Sequence, residues 1–167
     1  MNRTVSVRNY REIDLNQCRG LWRELVEWHR KIYGDASIGG EEPELFFDKH
    51  LAKVGANQIW VAVTEDGVVG FMGLEIENEE VKVEPVIVNE TYRRKGVGRM
   101  LVEKAVDEAR KKGVKFISVM PVARNEDAIR FFYEMGFRNL GQVQLFMDFP
   151  KKKWKSGLEL CGLKFDL

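Results

Sequence analysis

The segment from Tyr92 to Gly98, YRRKGVG, constrains the fold more than any other stretch, because it joins two different patterns. The apolar run Val86 to Val88 before it predicts a buried strand, and the apolar residues from Val97 to Lys112 recur at helical spacing. Backbone amides at a helix start carry partial positive charge, and glycine lets a ligand approach the backbone, so this strand-to-helix junction suits a phosphate group. On these residues alone, an ordinary loop with a solvated basic run is an equally good interpretation.

Length and composition predict a single domain without a global electrostatic function. The chain has 167 residues, enough for one sizeable core, and its 27 Lys and Arg balance 26 Asp and Glu. We therefore expect no binding to nucleic acid or to an acidic membrane surface. Cys18 and Cys161 imply neither a disulfide framework nor a metal site, and His29 and His50 lack metal-ligand spacing, so no metal is expected. Without an apolar leader at Met1 or a long apolar run, the expected location is the cytoplasm.

The first half of the chain predicts one strand, two helices and then three strands. Thr4 to Arg8 alternates as a strand, and Asp14 is a suitable N-cap for a long amphipathic helix. A second helix is expected from Pro43 to Val54, with Leu45, Phe46 and Leu51 on its buried side. The three strands, expected to form an antiparallel meander, are Ile59 to Thr64, Val68 to Ile76, and Val81 to Val88.

The second half predicts a helical crossover and a final hairpin. The helix that begins at Val97 ends at Gly113, and the strand after it, Val114 to Met120, should pair in parallel with the strand that ends at Val88. A further helix is expected from Glu126 to Met135, and Phe137 to Phe149 has the pattern of a hairpin. Pro85 cannot donate a ladder hydrogen bond, so an irregularity is expected within the fourth strand.

This order of elements resembles the GNAT superfamily of acyl-CoA-dependent N-acyltransferases over roughly Val5 to Phe149. Two motifs carry the resemblance. Val88 to Gly98 is similar to the family's strand followed by an Arg/Gln-x-x-Gly-x-Gly turn, and Asn125 to Phe137 is similar to its Asn-x-x-Ala-x-x-x-Tyr-x-x-x-Gly-Phe signature. The resemblance implies an α/β (α+β) fold: a mixed, mostly antiparallel twisted sheet of about seven strands and about four helices, with strands 4 and 5 parallel and splayed. It would occupy residues 1–150, and residues 151–167 would form a C-terminal extension.

The resemblance also implies a binding site for acetyl-CoA. The amides from Arg94 to Gly98 would hold the pyrophosphate, and pantetheine would lie along the fourth strand as a pseudo-strand. Pro85 fits a bulge that relatives have at this depth. The coenzyme-binding residues implied in this way are Val86, Ile87, Val88, Arg93, Arg94, Lys95, Gly96, Val97, Gly98 and Asn125. For Asn125, helix capping is an alternative role.

For catalysis, the resemblance implies Tyr133 as the general acid that protonates the coenzyme A sulfur, although an aromatic packing role is the alternative. Glu84 is the candidate base, Glu75 is its rival, and each is also explained as a solvent-facing strand carboxylate. Met120 stands where some relatives that acetylate protein N-termini carry Glu, which weakens that interpretation. Acceptor residues are expected near the first helix and its following loop, at Trp28, Tyr33 and Asp35, with Glu75 as a further candidate.

The sequence therefore predicts an acetyl-CoA-dependent N-acetyltransferase that acts on a primary amine, a small molecule or a protein lysine, by direct attack in a ternary complex. A non-catalytic module that senses acyl-CoA or scaffolds a partner is the alternative. The tail after Lys151 contains Trp154, Leu158 and Phe165, and three roles stay open for it: an added strand, a homodimer contact, or packing on its own domain.

Overall fold

The structure is a computed structural model that describes residues 4–149 and 154–167. The described part excludes residues 1–3, so the expectation that the chain start carries no apolar leader lies outside it. It also excludes the basic run at 151–153. The strands are β1 (Ser6–Asn9), β2 (Ile59–Thr64), β3 (Gly67–Glu77), β4 (Glu80–Val88), β5 (Phe116–Ser118), β6 (Ser156–Leu160) and β7 (Leu163–Asp166). The helices are α1 (Leu15–Tyr33), α2 (Leu45–Val54), α3 (Val97–Lys112) and α4 (Glu126–Glu134).

The chain divides into two units, residues 1–120 and 121–167. The first unit contains a five-stranded sheet in the order β1-β2-β3-β4-β5. Strands β1 to β4 are antiparallel to their neighbours, and β5 is parallel to β4. The predicted meander and the parallel pair are therefore confirmed. The sheet has five strands and a separate hairpin supplies two more, instead of one sheet of about seven.

Apolar side chains of the sheet pack on both of its faces, because neighbouring residues of a strand point to opposite sides. On one face, Met72 and Leu74 of β3 join Val97, Leu101 and Ala105 of α3 in a buried cluster. On the other face, a second cluster contains Phe71 of β3, Phe47 of α2 and Leu21 of α1, with Tyr10, Cys18, Ile59, Val61 and Ile87. The crossover helix α3 and the helices α1 and α2 thus cover opposite faces.

The buried side of α2 differs from the prediction. Phe47 and His50 are buried, whereas the side chains of Leu45 and Phe46 are 38% and 39% exposed. Leu45, Phe46 and Phe47 are all apolar, so they do not show which side of the helix faces inward. His50 lies on the buried side with Phe47, but a histidine is counted as polar, so the sequence pattern does not assign it to the core. Phe47 makes an edge contact with Phe71, at 5.2 Å between ring centroids, which fixes this face toward the sheet.

In the second unit, the predicted hairpin at Phe137 to Phe149 is wrong. Residues 137–148 form no strand, although Val143, Leu145 and Met147 alternate as strand residues do, and these side chains are mostly exposed. The hairpin of this unit is β6 with β7. Its two-residue turn contains Cys161 and Gly162, both with positive φ (54° and 74°), the combination that matches the twist of paired strands.

Candidate active site

The fourth strand contains the irregularity that Pro85 predicted. Opposite β4, the register of β3 pairs Met72 with Val86 and Leu74 with Val83, so Glu84 and Pro85 together face the single residue Gly73. This is a β-bulge, and the Glu84–Pro85 peptide bond within it is cis. A bulge turns the strand and re-aims its side chains, so β4 changes direction at Pro85.

Beyond the bulge, β4 separates from β5. The parallel pairing joins Glu80 to Phe116, Val81 to Ile117 and Lys82 to Ser118, and within the described residues it extends no further. From the bulge to Val88, the β5 side of β4 therefore has no parallel partner in this sheet. This edge includes the predicted coenzyme residues Val86, Ile87 and Val88. Val88 O on this edge accepts a hydrogen bond from Arg93 Nε, and the remaining unpaired backbone groups are able to hydrogen-bond an extended ligand as a strand does.

The strand edge leads into the glycine junction. After Val88, Asn89 caps a short 3-10 turn, with its side chain accepting a hydrogen bond from Thr91 N at 3.1 Å. Arg94 and Gly96 then adopt left-handed conformations, with φ of 58° and 84°, and α3 begins at Val97. No side chain caps this helix start. Its first amides carry partial positive charge, and a Cβ at Gly96 would have no heavy atom within 4 Å, so an anion can approach the backbone.

The three cations of the junction differ in their surroundings. Arg93 is held inward: its Nε donates to Val88 O at 3.1 Å, and its guanidinium lies 5.3 Å from the ring centroid of Trp28. Arg94 and Lys95 are exposed, and Lys95 Nζ lies 5.4 Å from the ring centroid of Tyr92. Val97 is buried in the core, while Gly98 is half-buried in the first turn of α3. Exposed charge is therefore supplied by Arg94 and Lys95, and Arg93 braces the loop against α1.

Both candidate bases form ion pairs with lysines. Glu75 is 8% exposed and accepts a hydrogen bond from Lys53 Nζ at 2.7 Å, and Glu84 pairs with Lys82. The carboxylate of Glu75 raises the pKa of Lys53, so the ammonium stays charged. Lys53 and Glu75 also line a surface cavity of about 280 Å³ with Val54, Gln58, Leu74, Ile76 and Glu77. Glu75 is therefore buried in its ion pair, whereas the side chain of Glu84 is paired with Lys82 and still 47% exposed.

The other predicted acceptor residues have structural partners. Trp28 is in contact with Arg93, as described above. Asp35 Oδ1 accepts hydrogen bonds from Ser37 N at 2.9 Å and from Ser37 Oγ at 2.6 Å, which closes a local turn. Tyr33 is the last residue of α1 and is half-buried. These three residues lie within a short stretch of the chain. Trp28 contacts Arg93 of the glycine junction, and Asp35 closes the turn that follows α1.

Two predicted site residues lie in the second unit. Asn125 caps α4, with its Oδ1 accepting a hydrogen bond from Ala128 N at 3.2 Å, so the capping alternative for this residue is observed. Tyr133 is near the end of α4, and its side chain is 55% exposed. The guanidinium of Arg138 lies 5.0 Å from the centroid of its ring. An exposed phenol is unlike the neighbouring Phe132, which is 9% exposed.

Sequence reasoning missed His50 and Gly73. A Cβ at Gly73 would lie 2.0 Å from His50 Nε2 and 2.7 Å from Glu84 O, so the imidazole packs directly on the strand beside the bulge. His50 Nε2 is buried and has no hydrogen-bond partner. No motif signals this contact, because 23 residues separate the two positions; a glycine within a predicted strand was the available hint of a close approach.

The described residues contain no group of three or more His, Cys, Asp or Glu side chains able to hold a metal ion. Within the same residues, no helix is both long and apolar enough to cross a membrane. Cys18 and Cys161 are both unpaired thiols, and burial raises the pKa of Cys18 to about 12.

These features define an α/β protein with a bulged strand that separates from its parallel neighbour and is followed by an uncapped, glycine-containing helix start. Such an arrangement is able to hold an extended, phosphate-bearing ligand. Comparison with known families matches residues 22–137 to the acetyltransferase (GNAT) family. This match covers more than half of the chain, and the chain belongs to that family. Members of the family bind an acyl-CoA and an acceptor, and this chain is accordingly an N-acetyltransferase whose acceptor the match does not specify.

Individual proteins agree with this assignment. An uncharacterised N-acetyltransferase of Methanocaldococcus jannaschii is 24% identical over 157 residues, which are 90% of this chain and 68% of that protein. A probable N-acetyltransferase 14 of Xenopus tropicalis is 33% identical over 91 residues, which are 53% of this chain and 44% of that protein. The PaiA N-acetyltransferase of Thermoplasma acidophilum, solved in complex with coenzyme A, has the same fold, with a TM-score of 0.69, 19% identity, and coverage of 81% and 90% of the two chains.

Proposed function

We propose that this protein transfers the acetyl group of acetyl-CoA to a primary amine, on a small molecule or a protein lysine, by direct attack within a ternary complex. One observation carries the proposal: the unpaired edge of β4 leads from the bulge at Pro85 to the uncapped start of α3. A coenzyme A molecule has the same sequence of parts, a thioester, an extended pantetheine with amide groups, and a pyrophosphate. The proposed arrangement sets pantetheine along Val86 to Val88 and the pyrophosphate at the amides of Arg94 to Gly98.

Amide formation from a thioester requires a neutral amine, a stabilised tetrahedral oxyanion and a proton for the departing thiolate. A backbone amide of β4 near Ile87 or Val88 is proposed for the oxyanion. Tyr133 is proposed as the general acid, on the strength of its place in the signature from Asn125 to Phe137. A phenolic hydroxyl is a hydrogen-bond donor that is able to give its proton to the sulfur.

The acceptor is proposed to bind on the α1 and α2 side of the sheet. Glu84 remains a proposed base, with Glu75 as its rival. Both carboxylates are also available to an ammonium group there if it displaces Lys82 or Lys53. Tyr33, Asp35 and Trp28 remain proposed acceptor residues at the end of α1. Asn125 remains a proposed pantetheine contact through its amide NH₂, since its oxygen caps α4.

Three wider proposals accompany the reaction. Residues 1–150 form the acetyltransferase domain and residues 151–167 form an extension, which packs on the domain or on a second copy in a homodimer. The cytoplasm is the proposed location, because two unpaired cysteines suit a reducing compartment. No nucleic-acid or membrane partner is proposed, in keeping with the balanced charge.

The proposal is tested by measuring free-thiol release from acetyl-CoA and propionyl-CoA over a panel of small amines and lysine peptides. Turnover with at least one acceptor is expected, and Tyr133→Phe should lower kcat by roughly 10²-fold while coenzyme binding is retained. Tyr10→Phe is the matched control, since Tyr10 is buried in the core and should tolerate the change. Unchanged turnover in Tyr133→Phe would remove Tyr133 from the mechanism. Tight acetyl-CoA binding without turnover on any acceptor would favour the sensor module.

A further inference from the structure

The bulge of β4 has an unexpected neighbour, the imidazole of His50. His50 is 7% exposed and lies on α2, and its ring centroid is 5.5 Å from that of Trp22 on α1. Its Nε2 atom is directed at the point where Glu84 and Pro85 face Gly73, as the 2.0 Å distance to a Cβ at Gly73 shows. The side chain therefore reaches the bulge from the α1 and α2 face of the sheet.

The two carboxylates near the bulge already have cationic partners. Glu75 is bonded to Lys53, and Glu84 is paired with Lys82. Among the described residues, two buried side-chain atoms have no hydrogen-bond partner, His50 Nε2 and Glu24 Oε2. Glu24 lies at the other end of β4, where its second oxygen accepts a hydrogen bond from Asn89 Nδ2 at 2.8 Å. At the bulge itself, the unpartnered acceptor is the imidazole nitrogen.

A buried polar atom without a partner is uncommon in folded proteins and costs free energy, so a functional explanation is warranted. We propose that His50 is a catalytic residue that accepts the proton of the acceptor amine at the β4 bulge. This inference rests on the proposed function. The tautomer with its proton on Nδ1 leaves Nε2 as a base.

The step balances with Tyr133 as the acid. The amine nitrogen attacks the thioester carbon, the new C–N bond forms, and one amine proton passes to Nε2, which gives an imidazolium. The C–S bond then breaks, and the thiolate takes the phenolic proton of Tyr133. The products are the amide and coenzyme A with a free thiol. The imidazolium and the phenolate return to their starting states by exchange with solvent when the products leave.

The charges around His50 shift its pKa in opposite directions. Burial is the largest influence and lowers the pKa of His50, whereas the carboxylates of Glu75 on β3 and Glu84 on β4 raise it, and Lys53 on α2 lowers it. Trp22, the α1 residue in contact with the ring, is uncharged. The net direction is downward, so the imidazole is neutral at pH 7 and competent as a base. The two carboxylates are placed to stabilise the imidazolium once it forms.

The test compares two replacements of His50. Phe keeps the approximate shape of the ring and removes the nitrogen, whereas Gln keeps a polar end and removes the base. Both should lower kcat by roughly 10²-fold with the best amine acceptor, while the Kd for acetyl-CoA, measured by calorimetry, should stay within about threefold of the wild type. His29→Gln is the matched control, because His29 is the other histidine of the chain, is half-buried and also has a pKa lowered by burial.

The pH profile separates catalysis from packing. In the wild type and in His29→Gln, kcat should decline on the acid side, with a midpoint below the ordinary imidazole value of about 6.5, and this limb should vanish in His50→Gln. A limb that persists in His50→Gln, or full activity in His50→Phe, would overturn the inference. If both His50 variants fail to fold, the His50 imidazole is titrated by NMR in His29→Gln, where it is the remaining histidine. A titration midpoint that differs from the midpoint of the acid limb of kcat would exclude His50 as the base.

The two proposals fail in different ways. If the wild type releases no thiol with any amine, the proposed function itself is wrong. If the wild type turns over and the His50 variants match it, acetyl transfer stands and only the assignment of the proton acceptor is wrong.

Discussion

Substitution of Gly73 by alanine tests the close contact between α2 and the bulge. An added Cβ would lie 2.0 Å from His50 Nε2 and 2.7 Å from Glu84 O. Both distances are below 3.0 Å, the limit that real Cβ atoms respect, so neighbouring groups must move. The imidazole can rotate only by disturbing its contact with Trp22, and the carbonyl belongs to the bulge backbone.

The cost can be estimated from overpacking. An extra methyl group in a tight core typically costs about 1–3 kcal/mol, and a contact with backbone places Gly73→Ala at the upper end, at about 3 kcal/mol. For a chain of this size, this corresponds to a decrease of roughly 6–12 °C in Tm. Urea unfolding, followed by tryptophan fluorescence and far-UV circular dichroism, measures the change.

Two controls make the measurement specific. Gly20 lies within α1, and a Cβ there would meet no heavy atom within 4 Å, so Gly20→Ala should stabilise the protein by about 1 kcal/mol through helix propensity. In a His50→Ala background, Gly73→Ala should cost about 1 kcal/mol less than in the wild type, because the imidazole contact is gone and the Glu84 contact remains. If Gly73→Ala costs less than about 0.5 kcal/mol, the contact that the structure shows at the bulge is refuted.

Further predictions concern the start of α1 and the ends of α3. Burial would raise the pKa of Asp14, but hydrogen bonds from Arg8 and from Arg11 N outweigh it and lower the pKa. The stabilisation from Asp14 is therefore present above the pKa of about 4 that the unfolded chain has, and it is lost as pH falls through the lower pKa of the folded state. The loss of unfolding free energy is at most about 1.4 kcal/mol per pH unit, and Asp14→Asn should lack it when acid unfolding is measured. Gly96→Ala and Gly113→Ala both place alanine at a left-handed φ (84° and 68°) and should each cost about 1–2 kcal/mol of unfolding free energy, but calorimetry should show weaker coenzyme A binding for Gly96→Ala alone. Equal binding losses would contradict an anion site at the start of α3.

The elements whose patterns are local were predictable from the sequence. The α3 boundaries agree at both ends, because the glycines on either side and the regular apolar spacing fix the helix without help from the rest of the chain. Pro85 located the bulge because a missing amide donor is a property of the residue itself. By contrast, the segment Phe137 to Phe149 has an alternating pattern but forms no strand. Alternation only indicates which side chains would share a face of a strand, and it does not provide a neighbouring strand for the backbone to pair with.

The candidate site divides in the same way. The junction from Arg93 to Gly98 is one continuous stretch, so its chemistry could be inferred from composition and order. The pairing of Glu75 with Lys53 could not, because Lys53 is brought to Glu75 only by the packing of α2 on β3. Lys82, in contrast, lies two residues before Glu84 on the same strand. Contacts such as that between Glu75 and Lys53 depend on tertiary packing, which leaves no periodic signal in the chain.

The lysine partners of Glu75 and Glu84 affect which amines the site is able to accept. Lys53 and Lys82 already supply positive charge to the two carboxylates, so an ammonium acceptor must displace a lysine or approach as the neutral amine. A neutral amine needs no carboxylate partner, but it does need a group that accepts its proton as the C–N bond forms. The pairing of both carboxylates and the unpartnered nitrogen of His50 thus favour the same mechanism. If the acceptor binds at the bulge as proposed, we expect selectivity to come from its fit against α1 and α2 more than from attraction between opposite charges.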